Sequence, residues 1–74
     1  MDASASSLFG AARRASGMTA DKAAEVCGVS RPTYNSRESD PGQFRLCELS
    51  RLYASLDGTG RELLMRGVVG MLEG

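Results

Sequence analysis

The 74 residues suffice for one small domain, because a chain of this length cannot divide its apolar residues between two hydrophobic cores. The hydrophobic fraction of 42% is typical of a folded protein, and the net charge of zero argues against nonspecific coating of nucleic acid. The absence of histidine, with only two cysteines, excludes a four-ligand zinc site within one chain.

Functional parts of an enzyme or a membrane protein are missing from the sequence. There is no histidine for acid/base work, no glycine-rich phosphate loop and no serine in a strand-to-helix elbow. We therefore expect no catalysis, no cofactor and no small-molecule substrate. Neither a secretory signal nor an apolar run of bilayer length is present, which predicts a cytoplasmic protein with reduced thiols and no membrane partner.

The charges are unevenly distributed along the chain. Residues 11–37 hold five basic residues against two acids, for +3, and residues 38–74 hold four arginines against six acids, for −2. Asp2 supplies the remaining −1. A positive first half favours contact with a polyanion through that part of the chain.

Apolar spacing predicts an all-α domain, since β-branched residues are few and alternation is nearly absent. Residues 1–6 are expected to form a flexible N-terminal arm, and residues 7–74 the domain. Five short helices are predicted, at about residues 7–16, 20–27, 31–39, 44–56 and 60–73.

Capping residues support these boundaries. Thr19 and Ser30 are N-caps for the second and third helices, and Gly28 ends the second, because glycine adopts positive φ without a steric penalty. The segment Thr59-Gly60-Arg61-Glu62 has the pattern of a capping box, and Gly58 is expected to end the fourth helix.

The fifth helix is apolar around much of its circumference, which is more than burial within one subunit requires. Gly67 and Gly70 either permit close helix approach at a dimer contact or fray the C-terminus. The sequence therefore predicts a homodimer through residues of this helix, namely Leu64, Val68, Met71 and Leu72.

The segment from Thr19 to Ser39 matches a helix-turn-helix. This motif needs a small residue inside its first helix, a glycine at the turn, an apolar plug after it, and an apolar inner residue in its second helix. These roles are filled in that order by Ala24, Gly28, Val29 and Tyr34. A purely structural pair of helices remains the alternative, because small helical bundles reproduce parts of this pattern.

Two stretches carry a resemblance to a known family: Thr19-Ala-Asp-Lys-Ala-Ala-Glu-Val-Cys-Gly-Val-Ser-Arg-Pro-Thr-Tyr-Asn-Ser-Arg-Glu38 and Phe44-Arg-Leu-Cys-Glu-Leu-Ser-Arg-Leu-Tyr53. They resemble the lambda-repressor and Cro-like, xenobiotic-response-element family of phage and bacterial regulators, over roughly residues 7–56. The resemblance implies a lambda-repressor-like fold and sequence-specific binding of double-stranded DNA. It also implies a transcriptional regulator derived from a phage or prophage.

The resemblance also implies roles for individual residues. The helix that follows Ser30 becomes the recognition helix, and its expected base contacts are Arg31, Pro32, Thr33 and Ser36. Expected phosphate contacts are Arg14, Thr19, Lys22, Ser30, Asn35, Arg37 and Ser39. A structural ion pair is implied between Arg13 and Glu38.

The chain also departs from the family. Ala20 stands where relatives often have a glutamine that touches DNA, and Arg37 stands where many have an apolar residue. Ala20 and the zero net charge favour an alternative function, a protein-interaction module of the antitoxin or phage-adaptor kind that no longer binds DNA. Arg31, Thr33 and the basic first half favour DNA binding.

Overall fold

The computed structural model describes residues 5–73, with the backbone alone at residues 5 and 6. Its helices are α1 (Ala5–Ala15), α2 (Ala20–Cys27), α3 (Arg31–Ser39), α4 (Leu46–Ser55) and α5 (Gly58–Glu73), and a single 3₁₀ turn at Pro41–Gln43 follows α3. Strands are absent from this part of the chain, and the prediction of an all-α fold with five helices is confirmed.

The first helix begins earlier than predicted. Because α1 starts at Ala5, the residues Ala5 and Ser6, assigned above to the arm, belong to the helix. The rest of the predicted arm, residues 1–4, lies outside the described residues.

The caps of α2 and α3 form as the sequence predicts. The Thr19 hydroxyl accepts the N–H of Lys22 at 3.1 Å, and the Ser30 hydroxyl accepts the N–H of Thr33 at 3.3 Å. Gly28 has φ 78° and ψ 30°, the left-handed conformation that favours glycine. The chain therefore leaves α2 and enters α3 across a turn of only three residues, 28–30.

The junction between α4 and α5 corrects the predicted boundaries. Gly58 is the first residue of α5 instead of the end of α4. Asp57, and not Thr59, caps the new helix, because its carboxylate accepts the N–H of Gly60 at 2.9 Å. The same carboxylate accepts the hydroxyl of Ser16 at 3.1 Å, which ties the start of α5 to the end of α1.

An aromatic cluster lies at the centre of the core. The rings of Phe9 and Phe44 stack with their centroids 5.3 Å apart, and Tyr34 meets Phe44 edge-on at 6.1 Å, both favourable arrangements for aromatic pairs. Phe44 adopts an extended backbone to reach this cluster, so α4 starts at Leu46 and not at residue 44. Leu52 and Leu64, both almost fully buried, belong to the same core.

α5 packs along α1 through two glycines. A Cβ added at Gly67 would lie 2.7 Å from the ring of Phe9, and one added at Gly60 would lie 2.9 Å from the carbonyl oxygen of Ala12. The close approach expected of Gly67 at a dimer contact thus occurs inside one chain. Gly70, by contrast, faces open space.

The predicted dimer residues divide into buried and exposed positions. Leu64 is only 1% exposed and belongs to the core, so it offers almost no surface to a partner and is removed from the predicted dimer contacts. Val68 and Met71 are half-buried against the core, whereas Leu72 is 81% exposed. Within residues 5–73, no helix combines the length and apolar character needed to span a membrane.

Candidate nucleic-acid interface

Exposed side chains at the beginnings of α2 and α3 form the surface of interest, and we call it the α2–α3 surface. It is defined by the exposed residues Thr19, Asp21, Lys22, Ser30, Arg31, Pro32, Asn35 and Ser36. Seven of these were predicted from the sequence as DNA contacts through resemblance, and Arg31, Pro32 and Ser36 are among the predicted base contacts. Asp21 was not predicted to take part.

The orientation of α3 follows from which of its side chains are apolar or paired. Tyr34 is fully buried, and the half-buried Arg37 and Glu38 point toward neighbouring helices. The main packing partners of α3 are α2, α1 and the 3₁₀ turn. The opposite side, with Arg31 and Asn35, is therefore left exposed to solvent.

Arg31 is held by two partners from two helices. Its Nη1 donates to Asp21 Oδ1 of α2 at 2.6 Å, and its Nε donates to Asn35 Oδ1, one turn further along α3, at 3.3 Å. The side chains of Arg31 and Asp21 are 48% and 76% exposed. Such an exposed pair adds little to stability, but it places the guanidinium beside the start of α2.

Thr33 and Ser30 bond to each other as well as capping α3. The Ser30 hydroxyl donates to Thr33 Oγ1 at 2.9 Å while accepting the Thr33 N–H. Thr33, a predicted base contact, is half-buried, and its hydroxyl belongs to this cap.

An ion pair joins α1 to α3. Arg13 donates from Nε and Nη2 to the two carboxylate oxygens of Glu38 at 3.0 and 3.3 Å, the contact that the resemblance implies for these positions. The buried Tyr34 hydroxyl also donates to Glu38, at 2.7 Å. Burial alone would raise the pKa of Glu38, but the hydrogen bonds from Arg13 and Tyr34 outweigh it and hold the pKa below its ordinary value.

A second ion pair joins α3 to α4. Arg37 donates from Nε and Nη2 to the carboxylate of Glu48 at 3.0 and 3.4 Å, and the backbone N–H of Arg45 donates to the same carboxylate at 3.0 Å. The bond from Arg37 is the main cause of the lowered pKa of Glu48, which is only 3% exposed. Because its guanidinium is bound to a buried carboxylate, Arg37 is removed from the predicted phosphate contacts.

The remaining predicted phosphate contacts are exposed, and Arg14 and Ser39 are those that lie outside the α2–α3 surface. Arg14 on α1 and Ser39 at the last position of α3 are exposed, and Lys22 lies 3.7 Å from Glu25. Arg51, which the sequence analysis did not single out, donates from Nη1 to the carbonyl of Cys27 at 3.3 Å. It thus adds a positive charge beside the turn between α2 and α3.

The two cysteines occupy different environments. Cys27 is buried, and burial, followed by the charge of Glu48, raises the pKa of its thiol to about 11. Cys47 is exposed. Among residues 5–73, no group of three or more acidic or cysteine side chains is arranged to hold a metal ion.

Comparison with known proteins adds no relative: no family model, curated protein or solved structure matches the chain. The function is therefore inferred from the geometry of the chain itself.

Proposed function

We propose that the chain is a sequence-specific DNA-binding transcriptional regulator of the phage or prophage kind. In this proposal α2 and α3 form a helix-turn-helix like that of lambda-repressor and Cro-like proteins, and α3 enters the major groove. The observation that carries the proposal is the uncovered outer side of α3, where Arg31, Pro32, Asn35 and Ser36 are exposed beside the start of α2.

The chemistry of the α2–α3 surface suits a duplex. The N-termini of α2 and α3 carry the positive ends of the helix dipoles, which favour phosphate groups. Lys22, in the first turn of α2, adds positive charge there, and Arg14 is an exposed cation on α1. A guanidinium such as that of Arg31 presents parallel N–H donors that match the two acceptors of guanine in the major groove.

The two ion pairs behind α3 support the proposal by fixing the helix. Arg13 with Glu38 ties α3 to α1, and Arg37 with Glu48 ties it to α4. A recognition helix that is fixed from two sides needs little reorganisation when it binds DNA. Less of the interaction energy is therefore lost to ordering the helix.

Selection from a random duplex pool, followed by fluorescence anisotropy at several salt concentrations, tests the proposal. We expect the wild-type chain to enrich one motif and to bind it less tightly as salt rises, because phosphate contacts release counterions. Arg31→Ala should lose discrimination at one base position by about 1 to 3 kcal/mol. Arg66→Ala is the matched control, since Arg66 is an exposed arginine on α5 that pairs with Glu62.

Two results would contradict the proposal. The recognition-helix assignment fails if Arg31→Ala selects the same motif as the wild type. The DNA-binding proposal fails if the wild type shows no salt-sensitive binding to any duplex at micromolar protein. That second result would favour the protein-interaction module, which the exposed apolar side chains of α4 and α5 support.

We further propose that the chain acts as a homodimer through α4 and α5. The large hydrophobic side chains exposed within residues 7–73 all belong to these helices, namely Leu46, Tyr53, Met65, Val69 and Leu72. A domain this small buries a limited share of its apolar surface, so covering this surface with a second copy would add stability. The expected contact thus includes Leu72 from the original prediction, together with half-buried Val68 and Met71 at its margin.

Sedimentation equilibrium over a range of protein concentrations tests the dimer. We expect the average mass to approach twice that of one chain, and Val69→Arg to return it to the mass of one chain while the circular dichroism spectrum stays helical. A wild-type chain that remains monomeric at the highest concentration would refute the dimer without bearing on DNA binding.

A further inference from the structure

Asp21 is an acidic residue on a surface that otherwise suits an anion, and its carboxylate contacts Arg31. Resting on the proposed DNA-binding function, we propose that Asp21 is a positioning residue that makes Arg31 read a base instead of binding a phosphate. The juxtaposition that carries this inference is the 2.6 Å contact between Asp21 Oδ1 and Arg31 Nη1, across the two helices of the α2–α3 surface.

The two bonds to Arg31 restrict its orientation. A free arginine at a helix start samples many rotamers, and ordering it costs conformational entropy. Here Nη1 is bound to Asp21 and Nε to Asn35, so two anchors define the plane of the guanidinium. Neither bond uses Nη2, which is left to meet an acceptor on a base edge.

The negative charge of Asp21 disfavours the binding of a phosphate by Arg31 relative to the binding of a base. Asp21 is the one acidic residue among the eight that define the α2–α3 surface. A phosphate bound by Arg31 would bring a second negative charge beside the carboxylate of Asp21, whereas the edge of a guanine is neutral. A guanine contact made through the free donors keeps the bond to Asp21, so the penalty falls on nonspecific binding.

Because Asp21 and Arg31 are both exposed, we expect their contact to contribute more to the DNA complex than to the stability of the free protein. In solvent the two charges are largely screened, so the contact contributes little to folding. At a docked surface water is displaced, and the same charges interact more strongly. Replacing Asp21 should therefore alter DNA recognition with little effect on stability.

Asp21→Asn is the test variant, and Glu25→Gln is its matched control. Both substitutions remove one negative charge from an exposed position of α2, but Glu25 lies beside Lys22 and makes no bond to Arg31. The probes are the duplex selected by the wild type from a random pool, its single-base variants, and an unrelated duplex of equal length. Binding is measured by fluorescence anisotropy at several salt concentrations.

We expect Asp21→Asn to reduce the preference at the base read by Arg31, which for a bidentate contact is about 5- to 150-fold in the wild type, toward the value for Arg31→Ala. In contrast to Arg31→Ala, it should bind the unrelated duplex more tightly. The salt dependence on that duplex should steepen by about one phosphate contact, a slope change near 0.9. Glu25→Gln should keep the wild-type preference.

The inference is overturned if Asp21→Asn keeps the same base preference as Glu25→Gln, or if it weakens all duplexes equally. Either result leaves the proposed function standing, because the wild type still selects a motif. If the wild type binds no duplex in a salt-sensitive way, the proposed function fails and this inference fails with it.

Discussion

Three arginines in the first half of the chain have three different environments. Arg13 is bound to Glu38, Arg37 is bound to the buried Glu48, and Arg14 is exposed on α1. All three belong to the basic first half, and the resemblance implies a structural role for Arg13 but groups Arg37 with Arg14 as a phosphate contact. Their partners lie on other helices, so the position of each arginine along its own helix does not distinguish a structural cation from one that is available to a ligand.

Glu48→Gln should lower the free energy of unfolding by about 1.5 to 3 kcal/mol, the usual contribution of a hydrogen bond to a charged group. The neutral amide cannot pair with the charge of Arg37, and the position of Glu48 is almost fully buried. Urea denaturation followed by circular dichroism measures the change. Glu62→Gln removes the carboxylate of an exposed i,i+4 pair with Arg66 and should cost less than about 0.5 kcal/mol. Equal effects of the two variants would contradict the structural role of Glu48.

Arg14→Ala should weaken binding to every duplex by a similar factor and reduce the salt slope by about 0.9, the contribution of one phosphate contact. Its exposed position predicts no measurable loss of stability. Anisotropy titrations on the selected and the unrelated duplex provide the comparison. An unchanged salt slope would remove Arg14 from the interface.

Among the helices, the boundaries that depend only on neighbouring residues match the sequence-based prediction better than the boundaries that also involve residues distant in the chain. Thr19, Gly28 and Ser30 act within their own turns, and α2 and α3 begin and end as predicted. The N-cap bond of α5, from the N–H of Gly60 to Asp57, is also local, but Asp57 is tied in addition to Ser16, 41 residues away in the chain. No local pattern reports such a contact.

The packing of α5 on α1 predicts opposite effects for two glycines of the same helix. Gly67→Ala should destabilise the fold by about 1 to 3 kcal/mol, because its Cβ would lie 2.7 Å from the ring of Phe9. Gly70→Ala should stabilise it by up to about 1 kcal/mol, because alanine has the higher helix propensity and the site is open. Thermal and urea denaturation measure both. The packing described here would be wrong if Gly67→Ala stabilised the protein as much as Gly70→Ala.

For the whole molecule, carboxylates that are buried or half-buried connect the helices through charge. Glu38 joins α1 to α3, and Glu48 joins α3 to α4, and the pKa of each lies below its ordinary value of 4.5. Asp57, at the junction of α4 and α5, also has a lowered pKa, mainly through the N–H of Gly60. Protonation of these carboxylates at low pH therefore weakens the contacts between the helices.

The free energy of unfolding should be nearly constant from about pH 6 to 7 and should fall as the pH drops below about 4.5, the value for a carboxyl in the unfolded chain. The sign follows because a carboxyl whose folded pKa is lowered stabilises the protein above its unfolded pKa and loses that contribution as the pH falls through its folded pKa. Urea denaturation at pH 3 to 7 measures the slope, which Glu38→Gln combined with Glu48→Gln should reduce. Equal stability of the wild type at pH 3 and pH 7 would contradict this account.

The helical class, the caps of α2 and α3 and the glycine turn between them could be predicted from the sequence, because each depends on side chains within a few residues of the backbone that they bind. Which charges are paired and which remain exposed depends on how the helices pack. Arg31 with Asp21, Arg37 with Glu48, and Gly67 with Phe9 join different helices, so their partners are fixed only when the helices pack.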